Sequence, residues 1–343
     1  MQLSMPIRLR DIAQDLNLST MTISKVLRGQ TDVSAETKAR VLKRVQELNY
    51  RPNVAARSLR TGQTYTVGMV VPQLEGAFVP ALVEAVSGVL RRDAYSLILA
   101  SSNGDAENEE RECELHLSRQ VEALLFCFGD DASDIPQPLK NCSTPVVLIG
   151  RRVPGSTSIS VGLRENEVGS LAAMHLLACR SRRIAYMRGR RTVVADERTA
   201  GFREALSKAG APLSPKWMIE LDSEGSEFYS ARLATARIMR TSPRPDGIVC
   251  SSDLAGAGAY VALHEAGFSI PEQVQILGVG NTVEICEPFG LTSIDLSAPE
   301  IGRRAARMAL RAIRKSEDAS SRGPSVSPAV VIRTSTREKA REM

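Results

Sequence analysis

The sequence lacks the features of a secreted, membrane-spanning or disulfide-stabilised protein. Its six cysteines are widely spaced, and no two of them form a Cys-x-x-Cys pair. The opening residues contain no apolar run of the length that a signal peptide needs. No later stretch approaches the ~20 apolar residues of a transmembrane helix. We therefore expect a cytoplasmic protein whose thiols are reduced, buried and structural.

Residues that carry enzyme chemistry are also scarce. The three histidines, His116, His175 and His264, do not have the spacing of metal ligands. The chain has neither a GxSxG nucleophile motif nor a P-loop. Its basic run MRGRRTVV (residues 187–194) lacks the glycine spacing of a phosphate-binding loop. The sequence therefore predicts a protein that is not an enzyme and that uses no metal or cofactor.

Charge is distributed unevenly along the 343 residues, which are enough for two or three domains. Residues 1–64 contain 11 Lys and Arg against 5 Asp and Glu, and residues 300–343 have the same composition. The residues between carry a net charge of −7, although the whole chain is at +5. A basic head on an acidic body indicates that the head, and not the body, binds a polyanion. We interpret the C-terminal excess as a solvated helix face followed by a tail.

The basic head begins with a pattern of two short amphipathic helices. One face of each is apolar: Ile12, Ala13 and Leu16 in the first helix, and Ile23, Val26 and Leu27 in the second. Asn17 suits a turn that requires positive φ, and Ser19 suits the N-cap of the second helix. With one helix ending near Leu16 and the next starting near Thr20, the connection has three residues. This spacing predicts a helix-turn-helix.

A third helix completes the predicted head. Ser34 is a suitable N-cap, and Glu36 in the first turn interacts favourably with the helix dipole. The apolar stripe of this helix consists of Val41, Leu42, Val45 and Leu48. Three short helices around one core make a small, marginally stable domain.

The outward face of the second helix has the chemistry of a DNA-reading surface. Its candidate DNA contacts are Thr20, Met21, Ser24 and Lys25, together with the capping Ser19. Thr20 can donate or accept a hydrogen bond at a base edge, and Met21 can touch a thymine methyl group. Lys25 can reach guanine O6 and N7, or it can contact only phosphate and read no sequence. The alternative is an ordinary helical hairpin with a solvated outer face.

A short connecting segment follows the head, with the sequence YRPNVAARSLRTG (residues 50–62). Its helical part is barely two turns, too short to be stable alone, so we expect it to fold on binding. Ala56 permits close approach to a minor groove, and Leu59 can separate a base step with Arg57 and Arg60 on either side. The alternative is a plain linker.

These motifs together resemble a known family. RLRDIAQDLNLSTMTISKVLRG, followed by VSAETKARVLKRVQELNYRPNVAARSL, resembles the lactose-repressor family of bacterial transcription regulators across the N-terminal 60 residues. The resemblance implies that Thr20, Met21 and Lys25 occupy base-reading positions, and that Leu59 intercalates with Ala56 beside it. It also implies that a homodimer binds pseudo-palindromic double-stranded operator DNA. The tail contains no leucine heptads, so we expect no tail-made tetramer.

The body alternates apolar strands with amphipathic helices, which predicts parallel sheets covered on both faces. About eight strands favour two lobes with a ligand cleft between them, at the C-terminal ends of the strands. The resemblance implies the same α/β architecture, two lobes like those of periplasmic sugar-binding proteins, joined by crossover strands. The predicted domains are the helix-turn-helix head 1–50, the hinge 51–64, a first lobe 65–163 plus 293–325, a second lobe 164–292 plus 326–338, and a tail 339–343.

Candidate effector contacts come from the resemblance in the body. It implies that Arg198, in ERTAGF, and Ser252 with Asp253, in CSSDL, face the effector, with Phe78 against the ligand and Asn281 nearby. Arg198 suits a carboxylate, a phosphate or a hydroxyl-rich ligand. The alternatives are an interlobe salt bridge for Arg198, a helix cap for Asp253 and a place in the core for Phe78.

The sequence departs from its relatives at several of these positions. Gly280 stands where relatives commonly have an aspartate, Ser223 where several have a stacking aromatic, and Glu165 where an aspartate is usual. We predict a DNA-binding transcription regulator, a repressor more often than an activator in this family, modulated by a sugar or sugar derivative. A cytosolic sugar-binding sensor without DNA regulation is the alternative. An α/β enzyme with a DNA-binding head is disfavoured because no catalytic constellation is present.

Overall fold

The computed structural model describes residues 7–27, 32–50, 58, 62–74, 76–128, 135–150, 159–222, 225–315 and 325–337. The chain divides into two compact units, residues 1–64 and 65–343. The hinge candidates Ala56, Arg57, Leu59 and Arg60, and the position Ser223, lie outside the described residues.

The first unit contains the three predicted helices. They are α1 (Leu9–Asp15), α2 (Thr20–Leu27) and α3 (Ala35–Glu47). Their shared core is small and apolar, and its fully buried members are Ile12, Ala13, Ile23, Val26 and Val41. The helix-turn-helix prediction is confirmed.

Local polar contacts define the ends of these helices as the sequence predicted. Asn17 has φ of 54° in the turn between α1 and α2. Ser19 Oγ accepts a hydrogen bond from the Thr22 amide at 3.0 Å, and Ser34 Oγ caps α3 by accepting one from the Thr37 amide. The prediction for Leu42 is wrong: its side chain is 44% exposed, because Val41 takes the inward position of that turn.

The second unit begins with a five-stranded parallel sheet in the order β2-β1-β3-β4-β5. Its strands are β1 (Thr66–Val71), β2 (Ser96–Ser101), β3 (Ala123–Cys127), β4 (Val146–Gly150) and β5 (Ile159–Gly162). The helices between them are α4 (Phe78–Arg92), α5 (Ala106–Ser118) and α6 (Gln137–Lys140). One apolar core lies on each face of this sheet, as expected for continuous apolar strands.

A second lobe contains a six-stranded sheet in the order β11-β10-β9-β8-β6-β7. Its strands are β6 (Ile184–Arg188), β7 (Met218–Glu220), β8 (Gly247–Cys250), β9 (Gln275–Val279), β10 (Thr292–Asp295) and β11 (Ala329–Val331). Its helices are α7 (Glu165–Ala178), α8 (Val193–Lys208), α9 (Glu227–Ile238), α10 (Asp253–Glu265) and α11 (Val283–Phe289). All pairings are parallel except that of β10 with β11. The two-lobed α/β prediction is confirmed.

The crossings between the lobes correct one predicted boundary. We placed residues from 293 onward in the first lobe, but Ser293 and Ile294 pair with Gly278 and Val279 in the second sheet. The chain crosses only after β10 and forms α12 (Ala298–Ile313), which packs on the core shared with α4. Ladder hydrogen bonds to β9 retain β10 in the second sheet, and its apolar pattern alone does not identify its partner strand.

The cysteines are as expected for structural thiols. None of the six forms a disulfide, and all except the half-buried Cys142 are buried. Burial raises the pKa of Cys113 and of Cys286 to about 12, so both stay protonated near neutral pH. Across the described ranges, no helix is both long and apolar enough to cross a membrane. No cluster of three or more potential metal ligands occurs there either.

Candidate nucleic-acid interface and ligand cleft

The outward face of α2 lies at the end of a short, well-defined helix. Thr20 and Met21 form its first turn, and the Met21 side chain is 67% exposed. Ile23 and Val26 face the opposite way and are buried in the head core. An exposed methionine beside a threonine, at the N-terminal end of such a helix, matches the part of a recognition helix that reaches base edges.

Lys25 and Ser24 occupy the next turn of the same helix and are half-buried. The Lys25 ammonium forms an ion pair with Asp32, which precedes α3. Both side chains are partly exposed, so the pair contributes little to stability and can exchange for another anion. The Lys25 ammonium is therefore positioned by Asp32 and is still accessible at the surface of α2.

Side-chain contacts hold α3 against α1, and thereby fix the support on which α2 lies. The Arg44 guanidinium forms an ion pair with Asp15 at the end of α1 and, at 3.1 Å, with Glu47. These two carboxylates raise the pKa of Arg44. Arg40 Nη2 also donates a hydrogen bond to the Leu16 carbonyl at 3.3 Å.

In the second unit, both sheets share one strand arrangement. Apart from β11, each sheet has its first strand flanked by the second and third, and the others follow in chain order. In such sheets the loops after the first and third strands diverge at the carboxyl edge, and ligands bind in the resulting crevice. The cleft residues follow strands at the carboxyl edges of the two sheets.

The main cavity between the lobes has a volume of about 530 Å³. Its lining from the first lobe includes Gln73, Phe78, Asn103, Asp105 and Phe128. Its lining from the second lobe includes Glu165, Arg190 and Arg198, and Leu296 of the crossover contributes an apolar wall. A mixed apolar and polar lining of this volume suits a small organic molecule.

Arg198 is both a cavity residue and a member of an ion pair. Its Nε lies 2.7 Å from Glu165 Oε2, and both side chains are mostly buried. Because Glu165 begins α7 in the same lobe, the pair is not the interlobe bridge of the alternative interpretation. Within the described residues, Glu165 occupies only the Nε donor, so the planar Nη groups can still bind a ligand.

A second cavity of about 570 Å³ is also lined by Phe78. Asn281 and Thr282 line it from the second lobe, and Phe78 is the lining residue that it shares with the main cavity. Phe78 also packs against a core cluster of each lobe. The aromatic ring is therefore part of the core and also lines both cavities, while its contact with an effector stays a prediction.

Ser252 and Asp253, which the resemblance assigns to the effector, line neither of these cavities. Asp253 is 1% exposed and accepts hydrogen bonds from the Thr282 amide, at 2.7 Å, and from Ser293 Oγ. Ser252, not Asp253, caps α10 by accepting from the Ala255 amide. A carboxylate satisfied in this way orders the loop after β9, and its contact with an effector stays a prediction.

The same loop explains the glycine at position 280. Gly280 has φ of 126°, and a Cβ there would lie 3.0 Å from Asp253 Oδ2. An aspartate would be strained at this position. Sequence reasoning missed Gln73, Asn103, Asp105 and Arg190 as cavity residues, although each follows a strand at the carboxyl edge, which was the signal available.

Family comparisons agree with both parts of the fold. Residues 8–53 match the family described as bacterial regulatory proteins, lacI family. Residues 173–336 match the periplasmic binding protein-like domain.

Individual relatives are similar over nearly the whole chain. The HTH-type transcriptional repressor PurR of Mannheimia succiniciproducens is 30% identical, over 97% of this chain and 99% of the relative. The ribose operon repressor of Haemophilus influenzae is 29% identical, over 95% and 98%. A LacI-family regulator from Silicibacter pomeroyi has a similar structure, with a TM-score of 0.78, 27% identity, and coverage of 96% and 99%.

A head built as a helix-turn-helix and a body built as a two-lobed binding domain thus occur in the order that these relatives share. The family resemblance is confirmed. The chain belongs to the lacI family of bacterial regulatory proteins, and is a DNA-binding transcription regulator.

Proposed function

We propose that the protein is a repressor that binds a palindromic operator as a homodimer and is modulated by a small molecule in the interlobe cleft. The observation that carries the DNA-binding part is the exposed first turn of α2, with Thr20 and Met21 outward and the head core behind them. Side chains in this position reach base edges when a helix lies in the major groove. PurR and the ribose operon repressor, which are named as repressors, support the direction of regulation.

The dimer follows from the DNA and from an apolar surface on the second lobe. A single head reads one short half-site, so a palindromic operator requires two copies related by a twofold axis. On α9, Tyr229 and Leu233 are one turn apart, and Leu233 is 72% exposed. Leu254 on the adjacent α10 is also exposed, so these two helices carry exposed apolar residues that suit contact with a second copy.

The effector is proposed to be a sugar or sugar derivative that contacts Phe78 and Arg198, with Asn281 in the adjoining cavity that Phe78 also lines. An aromatic face with guanidinium donors binds a ring that carries hydroxyl or acidic groups. A related regulator, CelR, has been solved as a complex with cellobiose. Because the residues at 165 and 280 differ from the pattern that the resemblance implies, we do not expect the ligand to be a common pyranose or purine.

Selection of bound duplexes from a random-sequence DNA library tests the DNA-binding part. We expect an enriched motif with twofold symmetry. Replacing Thr20 and Met21 together by alanine should weaken binding to that motif roughly tenfold or more, about 1.4 kcal/mol, with unchanged binding to mixed-sequence DNA. The matched control is Gln14→Ala, an exposed position of α1. Failure to enrich any motif, or equal losses on both DNAs, contradicts the proposal.

A thermal-shift screen of sugars, sugar acids and sugar phosphates tests the effector part. A ligand at 100 times its Kd should stabilise the folded protein by about 2.7 kcal/mol and raise the unfolding midpoint. Phe78→Ala and Arg198→Gln should each abolish that shift. Arg203→Gln, an exposed residue of the same helix as Arg198, should retain it. A shift that survives both cavity variants places the ligand elsewhere.

A further inference from the structure

The first lobe has opposite charge at its two ends. Parallel strands place every strand start, and the C-terminal end of each intervening helix, at the edge away from the cleft. Asp105, Glu107 and Glu109 lie at the cleft end, at the start of α5. Arg91 and Arg92 lie at the opposite end, in the last turn of α4, and Arg119 follows α5 there. We call these three arginines the basal cluster.

The basal cluster is exposed and is not neutralised by neighbouring acids. All three side chains are exposed, and none forms an ion pair with a carboxylate within the described ranges. Arg91 Nη2 donates a hydrogen bond to Ser87 Oγ at 3.5 Å, which leaves its positive charge unpaired. Three positive charges are therefore available to an external anion.

Two acids at this end, Asp93 and Glu122, already have partners. Asp93 forms an ion pair with Arg314 at the end of α12. Glu122 accepts hydrogen bonds from the Tyr65 amide at 2.6 Å and from the Tyr95 hydroxyl at 2.9 Å. These contacts fix the carboxylates against the lobe and leave the arginines as the outward charges.

The position of the cluster relative to the chain indicates which anion it meets. Tyr65 is the first residue of the second unit, and it begins the first lobe at this basal edge, immediately before β1. The chain therefore enters this edge directly from the unit that binds DNA. Arg91 and Arg92 lie on the α4 side of the sheet and Arg119 on the α5 side, so positive charge flanks the connection on both faces.

We propose that Arg91, Arg92 and Arg119 form a second DNA-contacting surface, on the first lobe, that binds backbone phosphates and reads no bases. Guanidinium groups bind phosphate oxygens strongly, and such contacts hold a protein on DNA without sequence preference. The inference goes beyond the proposed function, because there the head and hinge alone contact DNA. It also revises the expectation from net charge that the body avoids polyanions.

Salt dependence of DNA binding tests this surface. The logarithm of the DNA-binding constant falls linearly with the logarithm of the salt concentration, and each phosphate contact adds about 0.9 to the steepness of that line. The full chain and its Arg91→Gln/Arg92→Gln/Arg119→Gln variant would be titrated onto a mixed-sequence duplex, between about 50 and 200 mM salt. We expect the slope to decrease by about two to three per protomer in the variant.

Two further variants separate local contact from general charge. Arg182→Gln/Arg203→Gln/Arg240→Gln removes the same charge from exposed positions of the second lobe and should retain the wild-type slope. The Arg91→Lys/Arg92→Lys/Arg119→Lys variant should also retain it, because counterion release depends on charge.

The outcomes divide clearly. A reduced slope in the basal glutamine variant alone supports the proposal. An unchanged slope, or an equal decrease in the second-lobe control, overturns it. If the wild-type protein binds no DNA, the proposed function fails, which is a different result. If the arginines serve only to stabilise helix ends, the variant unfolds at a lower temperature and keeps its slope.

Discussion

The histidines of this protein differ in their environment, and one of them, His116, is fully buried. His116 is fully buried on α5, and neither of its ring nitrogens makes a hydrogen bond of good geometry to a described residue. Its ring packs so closely on β1 that a Cβ added to Gly68 would lie 2.9 Å from His116 Nδ1. His264, by contrast, is exposed on α10.

Burial makes His116 a source of acid sensitivity. It lowers the pKa of His116 below its ordinary value of 6.5, with Arg119 adding to the effect and Glu112 opposing it. Below pH 6.5 the unfolded chain takes up a proton that the native chain does not, so the free energy of unfolding decreases as the pH falls. The contribution approaches about 1.4 kcal/mol per pH unit between the two pKa values.

The pH dependence of chemical denaturation measures this contribution. His116→Leu should reduce the loss of stability between neutral and acidic pH, whatever its effect on stability at pH 7. His264→Leu should leave the pH dependence as in the wild type. Identical pH profiles for the wild type and the His116 variant would show that this histidine titrates normally in the native state.

At the scale of elements, the packing of α7 on α8 determines where Arg198 lies. The two helices approach through glycines: a Cβ at Gly169 would lie 1.8 Å from the Arg198 carbonyl, and one at Gly201 would lie 2.0 Å from the Asn166 carbonyl. Both close contacts are with backbone atoms, which cannot rotate away. The close approach brings Glu165 and Arg198 together at the cavity wall.

Alanine substitutions separate this requirement from helix propensity. Gly169→Ala should destabilise the protein by about 1–3 kcal/mol or more, because the helices must move apart. Gly88→Ala, inside α4, meets no atom within 4 Å and should stabilise it by about 0.5–1 kcal/mol. Thermal unfolding measures both, and effector binding should weaken only in the Gly169 variant. A Gly169 variant as stable as the wild type would contradict the geometry.

Elements differ in how much of them the sequence predicts. The head was predictable nearly to the residue because caps and turn residues such as Asn17, Ser19 and Ser34 act locally. The short strand β5 could not be predicted from the sequence, because its four residues are too few to show an apolar pattern. The buried role of Asp253 was not predictable, since its partners Thr282 and Ser293 are distant in sequence and meet it only in the folded lobe.

At the scale of the whole molecule, two similar lobes create the cleft, and α9 and α10 carry the exposed apolar residues that we propose for the dimer. The two sheets repeat one strand order, so both present their carboxyl edges, and the cavities lie where the loops from these edges meet. The face formed by α9 and α10 is built by another glycine contact, since a Cβ at Gly258 would lie 2.1 Å from the Phe228 carbonyl.

Self-association should therefore depend on Leu233. A twofold interface uses each residue twice, so Leu233→Glu places two charges in one apolar contact. We expect the dimer dissociation constant to rise roughly 30-fold or more, about 2 kcal/mol, in sedimentation experiments over a range of protein concentrations. Operator affinity should fall at concentrations where the variant is monomeric, and recover at higher ones.

Leu115→Glu, at an exposed apolar position on α5 of the first lobe, is the matched control and should remain dimeric. Two like charges buried at this face would lower the affinity of the dimer. A Leu233→Glu variant that dimerises as well as the control would therefore place the interface elsewhere on the chain.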